Sequence, residues 1–171
     1  MEHLKEKIRH VQDYPKPGIL FYDITTLLRD SVSLKLAVDG LADPYRGESV
    51  DLVVGIESRG FIFGVPVADR LGAGFVPVRK PGKLPAETIS ASYELEYGSD
   101  SLEIHRDAIE SGQRVLIVDD LLATGGTARA TVDLVKEAGG RVCGLSFLIE
   151  LVDLAGRGKV GEERVFSALQ Y

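Results

Sequence analysis

One cysteine, Cys143, stands in 171 residues, so no disulfide can form within the chain. That excludes a disulfide-stapled scaffold and makes a reducing cytoplasm the simplest compartment. Cys143 lies in an apolar, strand-like run and reads as a small buried hydrophobe. No apolar run approaches the roughly 20 residues that span a bilayer. The N-terminus, MEHLKEKIRH, is charged and periodic, unlike a signal peptide. No membrane partner is therefore expected. Basic charge is also scarce: 20 Lys and Arg against 26 Asp and Glu leave a net charge of −6, which argues against a general nucleic-acid binder. Repeats, linkers and low-complexity tracts are absent. What remains is an ordinary soluble composition, 44% hydrophobic and 27% charged, at a length that suits a single domain spanning 1–171 with a full core.

Apolar strand runs alternate with helical patterns, which predicts an α/β fold with a mostly parallel sheet flanked by helices. Residues 2–11 read as a short amphipathic helix, and YPKPG (14–18) as a turn-rich break. Helices are predicted over 31–42 and 60–71. Strands are predicted over 51–57, 75–80, 91–98, 101–105, 141–151 and the closing RVFSALQY. Residues 81–90 have turn chemistry. GRGKVG (156–161) fits G-x-G-x-x-G, but a dinucleotide site needs a strand just before it and a helix just after. A polar segment precedes it here, so a loop is expected.

The most informative stretch is VLIVDDLLATGGT, Val115 to Thr127. Four apolar residues run into two carboxylates, and a small hydroxyl- and glycine-bearing turn leads to a helical pattern. Backbone N–H groups at a helix N-terminus lack intrahelical partners and favour an anion. Gly125 and Gly126 let the backbone wrap closely around it, and Thr124 and Thr127 add hydroxyl donors. Asp119 and Asp120 suit a sugar diol rather than the phosphate itself. Phosphate beside diol describes a ribose 5-phosphate. This is not a Walker loop, because no Gly-Lys-Ser/Thr closes it.

Two more constellations accompany it. In GIESRGF (55–61) a buried strand ends in a polar turn, where Arg59 offers a guanidinium fork and the backbone of Ser58 to Gly60 offers an anion nest. The spacing forms no G-x-S-x-G, so a hydrolase elbow is unsupported. In VRKPGKLP (78–85), Arg79, Lys80 and Lys83 cluster at a strand end and in a loop suited to a mobile lid. Such a cluster in an acidic chain suits a polyanion such as diphosphate.

Together these motifs resemble the type I phosphoribosyltransferases. PGILFYDIT, ESRGF, RKPGKLP, ASYELEYG and FSALQY extend the resemblance from about Ile8 to Tyr171 and point to the adenine branch. The resemblance implies a type I phosphoribosyltransferase fold with a small N-terminal hood over about residues 1–30 and a flexible catalytic loop. It implies that adenine and phosphoribosyl diphosphate (PRPP) give AMP and diphosphate, with Mg²⁺, in a cytoplasmic homodimer serving purine salvage. It assigns Ala123, Thr124, Gly125, Gly126 and Thr127 to the 5-phosphate, and Asp119 and Asp120 to the ribose hydroxyls. Ser58, Arg59 and Gly60 take the diphosphate, helped by Arg79, Lys80 and Lys83, some of them across a dimer interface. Phe21 stacks on adenine while backbone groups of Leu20 and Tyr22 read its edge. Glu96 donates a proton to the base, with Tyr97 beside it in the flexible loop. Magnesium is expected mainly on substrate oxygens, with Asp119 or Asp120 reaching it through water.

The chain departs from some relatives at Glu57, where they carry Asp, and at Tyr22 and Pro81, where they carry Arg. Two alternatives share these motifs. A 6-oxopurine phosphoribosyltransferase typically presents a lysine to the base from a late strand, and SFLIEL (146–151) has none. A PRPP-sensing regulator often carries a DNA-binding domain or basic surface. This chain is acidic and keeps Glu96 and the cationic loop.

Overall fold

The computed structural model describes residues 1–94 and 99–171. A 3-10 turn at Glu2–Lys7 leads into β1 (Arg9–Gln12), which pairs antiparallel with β2 (Leu20–Asp23). Short α1 (Thr25–Leu28) precedes α2 (Ser31–Ala42), and β3 (Leu52–Ile56), α3 (Arg59–Leu71) and β4 (Gly74–Val78) follow. Then come the antiparallel hairpin β5 (Thr88–Glu94) and β6 (Ser99–His105), and the unit β7 (Arg114–Leu122), α4 (Gly126–Glu137), β8 (Arg141–Glu150). A five-residue α5 (Gly156–Val160) and β9 (Val165–Gln170) close the chain.

The main sheet has the order β4-β3-β7-β8-β9, with every neighbouring pair parallel. Its central strands are apolar on both faces because both faces are covered. One core joins the N-terminal elements, α2 and α3 around Leu4, Leu41, Phe63 and Leu116. The other joins α4 and the β5–β6 hairpin around Ile104, Ile117, Leu134 and Phe147. The chain runs outward from β3 to β4, then returns to place β7 on the other side of β3. That reversal opens a crevice beyond the carboxyl ends of β3 and β7, where open parallel sheets bind ligands. ESRGF and DDLLATGGT both emerge there.

Four sequence readings need correction. Residues 2–11 are not one helix: the backbone turns extended at Ile8 (φ −100°, ψ 125°), and β1 begins at Arg9. Leu4 and Ile8 are still buried, so the apolar spacing was met by a 3-10 turn and the start of a strand. The strand predicted over 75–80 ends at Val78, and Arg79 instead bridges Glu103 of β6 through two backbone hydrogen bonds of 2.9 and 2.7 Å. The turn-like stretch 81–90 is already strand from Thr88, where Ile89 reaches the core. GRGKVG is not a loop: Gly156–Val160 is helical, and Val160 is buried in the core.

Asp30 caps α2: its carboxylate accepts hydrogen bonds from the Val32 and Ser33 N–H groups, both at 3.1 Å. Asp23 plays a similar part in the β1–β2 hairpin. It accepts from Thr25 N at 2.9 Å and from Arg9 Nε at 2.9 Å. The Thr25 hydrogen bonds, backbone first, and then Arg9 hold its carboxyl at about 2, below the ordinary 3.8. Because the folded value is depressed, the stabilisation is present above about pH 4 and is lost as pH falls through about 2. An NMR titration of the Asp23 carboxyl carbon is expected to give a midpoint near 2; a midpoint at the ordinary value would mean that these contacts are open in solution.

Candidate functional site

A cavity of about 430 Å³ lies in the crevice, within the size range of small-molecule sites. Ser58 and Arg59 line it from the β3 side. Asp119, Asp120 and the whole Ala123–Thr127 turn line it from the β7 side, and Lys80 enters from the loop after β4. The three separate sequence constellations therefore converge on one space.

The acidic pair stands near the carboxyl end of the strand, where the sequence put it, with the strand running two residues further. β7 runs on through Asp119 and Asp120 to Leu122, and the turn begins at Ala123. Consecutive strand residues face opposite ways, and the two carboxylates differ accordingly. Asp120 is almost fully buried and accepts a 2.5 Å hydrogen bond from Arg59 Nε. Asp119 is half-buried and accepts from the Asp120 N–H at 2.9 Å. Burial first, and the neighbouring Asp120 charge second, push the Asp119 carboxyl well above its ordinary value. A cation arriving beside the pair lowers it again.

Gly125 forms the N-cap of α4 with φ +82°, a left-handed conformation that favours glycine. α4 then starts at Gly126, so its first N–H groups border the cavity with no side chain in the way. Gly60, in the first turn of α3, is a glycine for a different reason. A Cβ there would lie 2.8 Å from Asp119 Oδ1 and 3.0 Å from the Val118 carbonyl oxygen. Its bare Cα lets the start of α3 settle against β7.

The cations of the loop after β4 are already engaged. Glu57, at the end of β3, accepts from the Lys80 N–H at 2.9 Å, from Arg79 Nε at 3.3 Å and from the Lys83 ammonium. Burial pushes the Glu57 carboxyl up, but Lys83, the Lys80 N–H and Arg79 outweigh it and hold it below its ordinary value. The Lys80 ammonium pairs with Asp100 of β6, which also accepts from Tyr93 Oη at 3.2 Å. Arg79 and Lys83 thus stand beside Glu57 at the cavity edge, and Lys80 alone of the three lines the cavity itself.

Phe21 sits on β2 with Tyr14 edge-on at 5.0 Å, and the Arg59 guanidinium lies 5.4 Å from its ring centroid. Arg59 therefore stands between the Phe21 ring and Asp120. Leu20 is exposed, and Tyr22 packs with His10 and Tyr171. Glu96 and Tyr97 lie outside the described residues.

Several cavity residues were missed in the sequence. Phe147 sits opposite Asp119 in the β7–β8 register and lines the cavity with Tyr93 and Leu102. Glu57 and Asp100 organise the cations. Glu57 adjoins ESRGF and was noticed only as a departure from relatives. No local pattern marks Asp100 or Phe147, because hairpin pairing and sheet register bring them in. Among the described residues, no group of three His, Cys, Asp or Glu side chains forms a dedicated metal site. No helix there is long and apolar enough to cross a membrane.

Comparison with known proteins agrees with this geometry. Residues 28–164 match the phosphoribosyl transferase domain family. The chain is 63% identical to adenine phosphoribosyltransferase from Clostridium botulinum (strain Eklund 17B / Type B) over 168 residues, 98% of each chain. It superposes on the crystal structure of adenine phosphoribosyltransferase from Thermoanaerobacter pseudethanolicus with a TM-score of 0.96 at 53% identity, covering 99% of this chain and 98% of that one. The Saccharomyces cerevisiae enzyme, solved with adenine and an imino-altritol bisphosphate, gives a TM-score of 0.92 at 42% identity over 98% of this chain and 97% of that one. With that agreement in sequence, fold and site architecture, the chain belongs to the adenine phosphoribosyltransferase family of type I phosphoribosyltransferases.

Proposed function

We propose that this protein transfers the phosphoribosyl group of PRPP to adenine, releasing AMP and diphosphate, and so serves purine salvage. The observation that carries the reading is the convergence of the α4 phosphate turn, the Asp119–Asp120 pair and Arg59 on one cavity at the sheet's reversal point. Ala123 to Thr127 receive the 5-phosphate through backbone N–H groups and threonine hydroxyls. Asp119 and Asp120 accept from the ribose hydroxyls. Ser58, Arg59 and Gly60 take the diphosphate, with Arg79, Lys80 and Lys83 exchanging their present carboxylate partners for it.

A purine nitrogen attacks the anomeric carbon as the bond to diphosphate breaks, with inversion. Negative charge grows on the leaving diphosphate, where Arg59 and the loop cations are aimed. Positive charge grows on the ribose ring, which the nearby carboxylates favour. Glu96, in its protonated form, would lend a proton to another ring nitrogen of the base while the attacking nitrogen gives up its own proton to the departing diphosphate, and the nucleotide would then return the lent proton to the Glu96 carboxylate. The resemblance carries that role, with Tyr97 beside it in the loop. Magnesium fits the residues present: among the described residues Asp119 accepts one hydrogen bond, and it lines the cavity with oxygen capacity to spare. Mg²⁺ needs few protein ligands when substrate oxygens and water supply the rest. When bound, it supplies charge neutralisation for diphosphate, with Asp119 or Asp120 holding it through water.

The first thirty residues serve as the hood over the base. Phe21 supplies the stacking face, and Leu20 and Tyr22 supply backbone hydrogen bonds. Stacking on an aromatic ring contributes about 1–3 kcal/mol, so Phe21→Ala is expected to raise the adenine KM about tenfold and leave the PRPP KM near wild type. An unchanged adenine KM would move the base elsewhere. The family resemblance supports a homodimer, and the lone unpaired Cys143 suits the cytoplasm.

The decisive experiment measures product formation from PRPP and Mg²⁺ with adenine, hypoxanthine, guanine and xanthine in parallel. Strong turnover confined to adenine and abolished by chelation supports the proposal. Turnover of an oxopurine would keep the phosphate sites and overturn the base pocket. PRPP binding without turnover of any base would favour a sensor.

A further inference from the structure

The segment that mimics a dinucleotide fingerprint, Gly156 to Gly161, takes no part in the chemistry above, yet it lies directly behind the phosphate turn. A Cβ on Gly125 would fall inside 3.0 Å of the Gly156 carbonyl oxygen and 3.0 Å from its carbonyl carbon. A Cβ on Gly156 would collide with the Ala123 carbonyl and lie 2.8 Å from the Gly125 nitrogen. The two backbones touch with no side chain between them. Ala155, immediately before, adopts φ +52°, a left-handed conformation unfavourable for a residue with a Cβ. Such a backbone persists only where its neighbours dictate it.

Beside it, the exposed Arg157 reaches back to the buried carboxylate of Glu150. Arg157 donates from Nε to Glu150 Oε1 at 3.0 Å and from Nη2 to Glu150 Oε2 at 2.5 Å, and its Nη1 donates to the Val165 carbonyl at 2.7 Å. Glu150 is buried and pairs in register with Leu122, the residue before the phosphate turn. The fork therefore ties α5 to the carboxyl end of β8 and to β9. Val160 anchors the far end of α5 in the same core as Ala128 of α4.

We propose that Glu150, Arg157 and Gly156 form a positioning unit for the 5-phosphate: the fork presses the Gly156 backbone against Ala123 and Gly125 and fixes the turn in its phosphate-receiving shape. None of the three touches substrate. The inference rests on assigning Ala123–Thr127 to the 5-phosphate. A side chain at Gly156 must push the turn away, and misplacements of about 1 Å can cost about 100-fold in activity.

The test measures binding of ribose 5-phosphate and of inorganic diphosphate separately by calorimetry, with steady-state kinetics beside them. Gly156→Ala and Arg157→Met are each expected to weaken ribose 5-phosphate about tenfold and to raise the PRPP KM in step. Diphosphate affinity and the adenine KM should stay within about twofold, a split that general loosening does not produce. Arg157→Lys should recover part of the loss. Equal weakening of both ligands, or of neither, overturns the proposal. Arg157→Met adds no volume and supplies the same readout if Gly156→Ala does not fold. A Thr124→Val/Thr127→Val double variant separates the two layers. If it too leaves ribose 5-phosphate binding intact, the phosphate assignment fails; if it alone weakens binding, only the positioning unit fails.

Discussion

Arg59→Met is expected to lower kcat/KM for PRPP by about 10²–10³-fold, the usual cost of removing one donor aimed at developing charge. Arg59 stands at the start of α3, beside the cavity, with its guanidinium between Asp120 and the Phe21 ring. Its Nε is committed to Asp120, which leaves the remaining N–H groups of the fork for diphosphate. An interaction that strengthens as diphosphate departs should appear mainly in kcat, whereas loss of ground-state attraction alone would appear in KM. Arg59→Lys is expected to recover only a minor part, because an ammonium cannot grip Asp120 and a phosphate oxygen together as the planar fork does. Arg59→Met also leaves Asp120 buried without its cation. An Arg59→Met/Asp120→Asn double variant therefore separates catalysis from stability. It should regain thermal stability relative to Arg59→Met but not activity. A kcat/KM for PRPP within threefold of wild type in Arg59→Met would remove the arginine from the reaction.

The legible parts of this site were those whose chemistry is local in sequence. Val115 to Val118 read as a buried strand because nothing polar interrupts them, and Gly125 and Gly126 read as a close-approach turn because only glycine makes one without cost. Arg59 was legible because it follows a buried strand within three residues of its end. The partners of these residues were not legible. Asp120 finds Arg59 across 61 residues, and Glu57 finds Lys83 across 26, through strand order and loop path that no local pattern encodes. The N-terminal error has a similar root. Leu4 and Ile8 satisfy helical spacing, but pairing of Arg9–Gln12 with Leu20–Asp23 outweighs the weak preference of a short helix. GRGKVG was expected to be a loop because its short helix rests on tertiary contacts, Val160 in the core and Gly156 against Gly125, that a glycine-rich pattern does not encode.

Phe147→Ala tests a residue that only sheet register reveals, and it is expected to act on stability and on Asp119 together. The ring is 1% exposed, packs in the core between the sheet and α4, and faces Asp119 across the β7–β8 pairing. Truncating such a phenylalanine typically costs about 3–5 kcal/mol, a large share of the roughly 5–15 kcal/mol that holds a domain folded. The second effect has a definite sign. Burial raises the Asp119 carboxyl above its unfolded value, so the folded protein holds that proton longer than the unfolded chain does. Wild-type stability should therefore fall as pH rises from about 4 through the folded-state value. Water entering the space left by the ring would bring the carboxyl back toward 3.8, its ordinary value. The variant should then be less stable at every pH, with a flatter decline on the alkaline side of pH 4. Urea unfolding at a series of pH values measures both quantities. A uniform loss with the slope unchanged would show that Phe147 packs the core without setting the environment of Asp119.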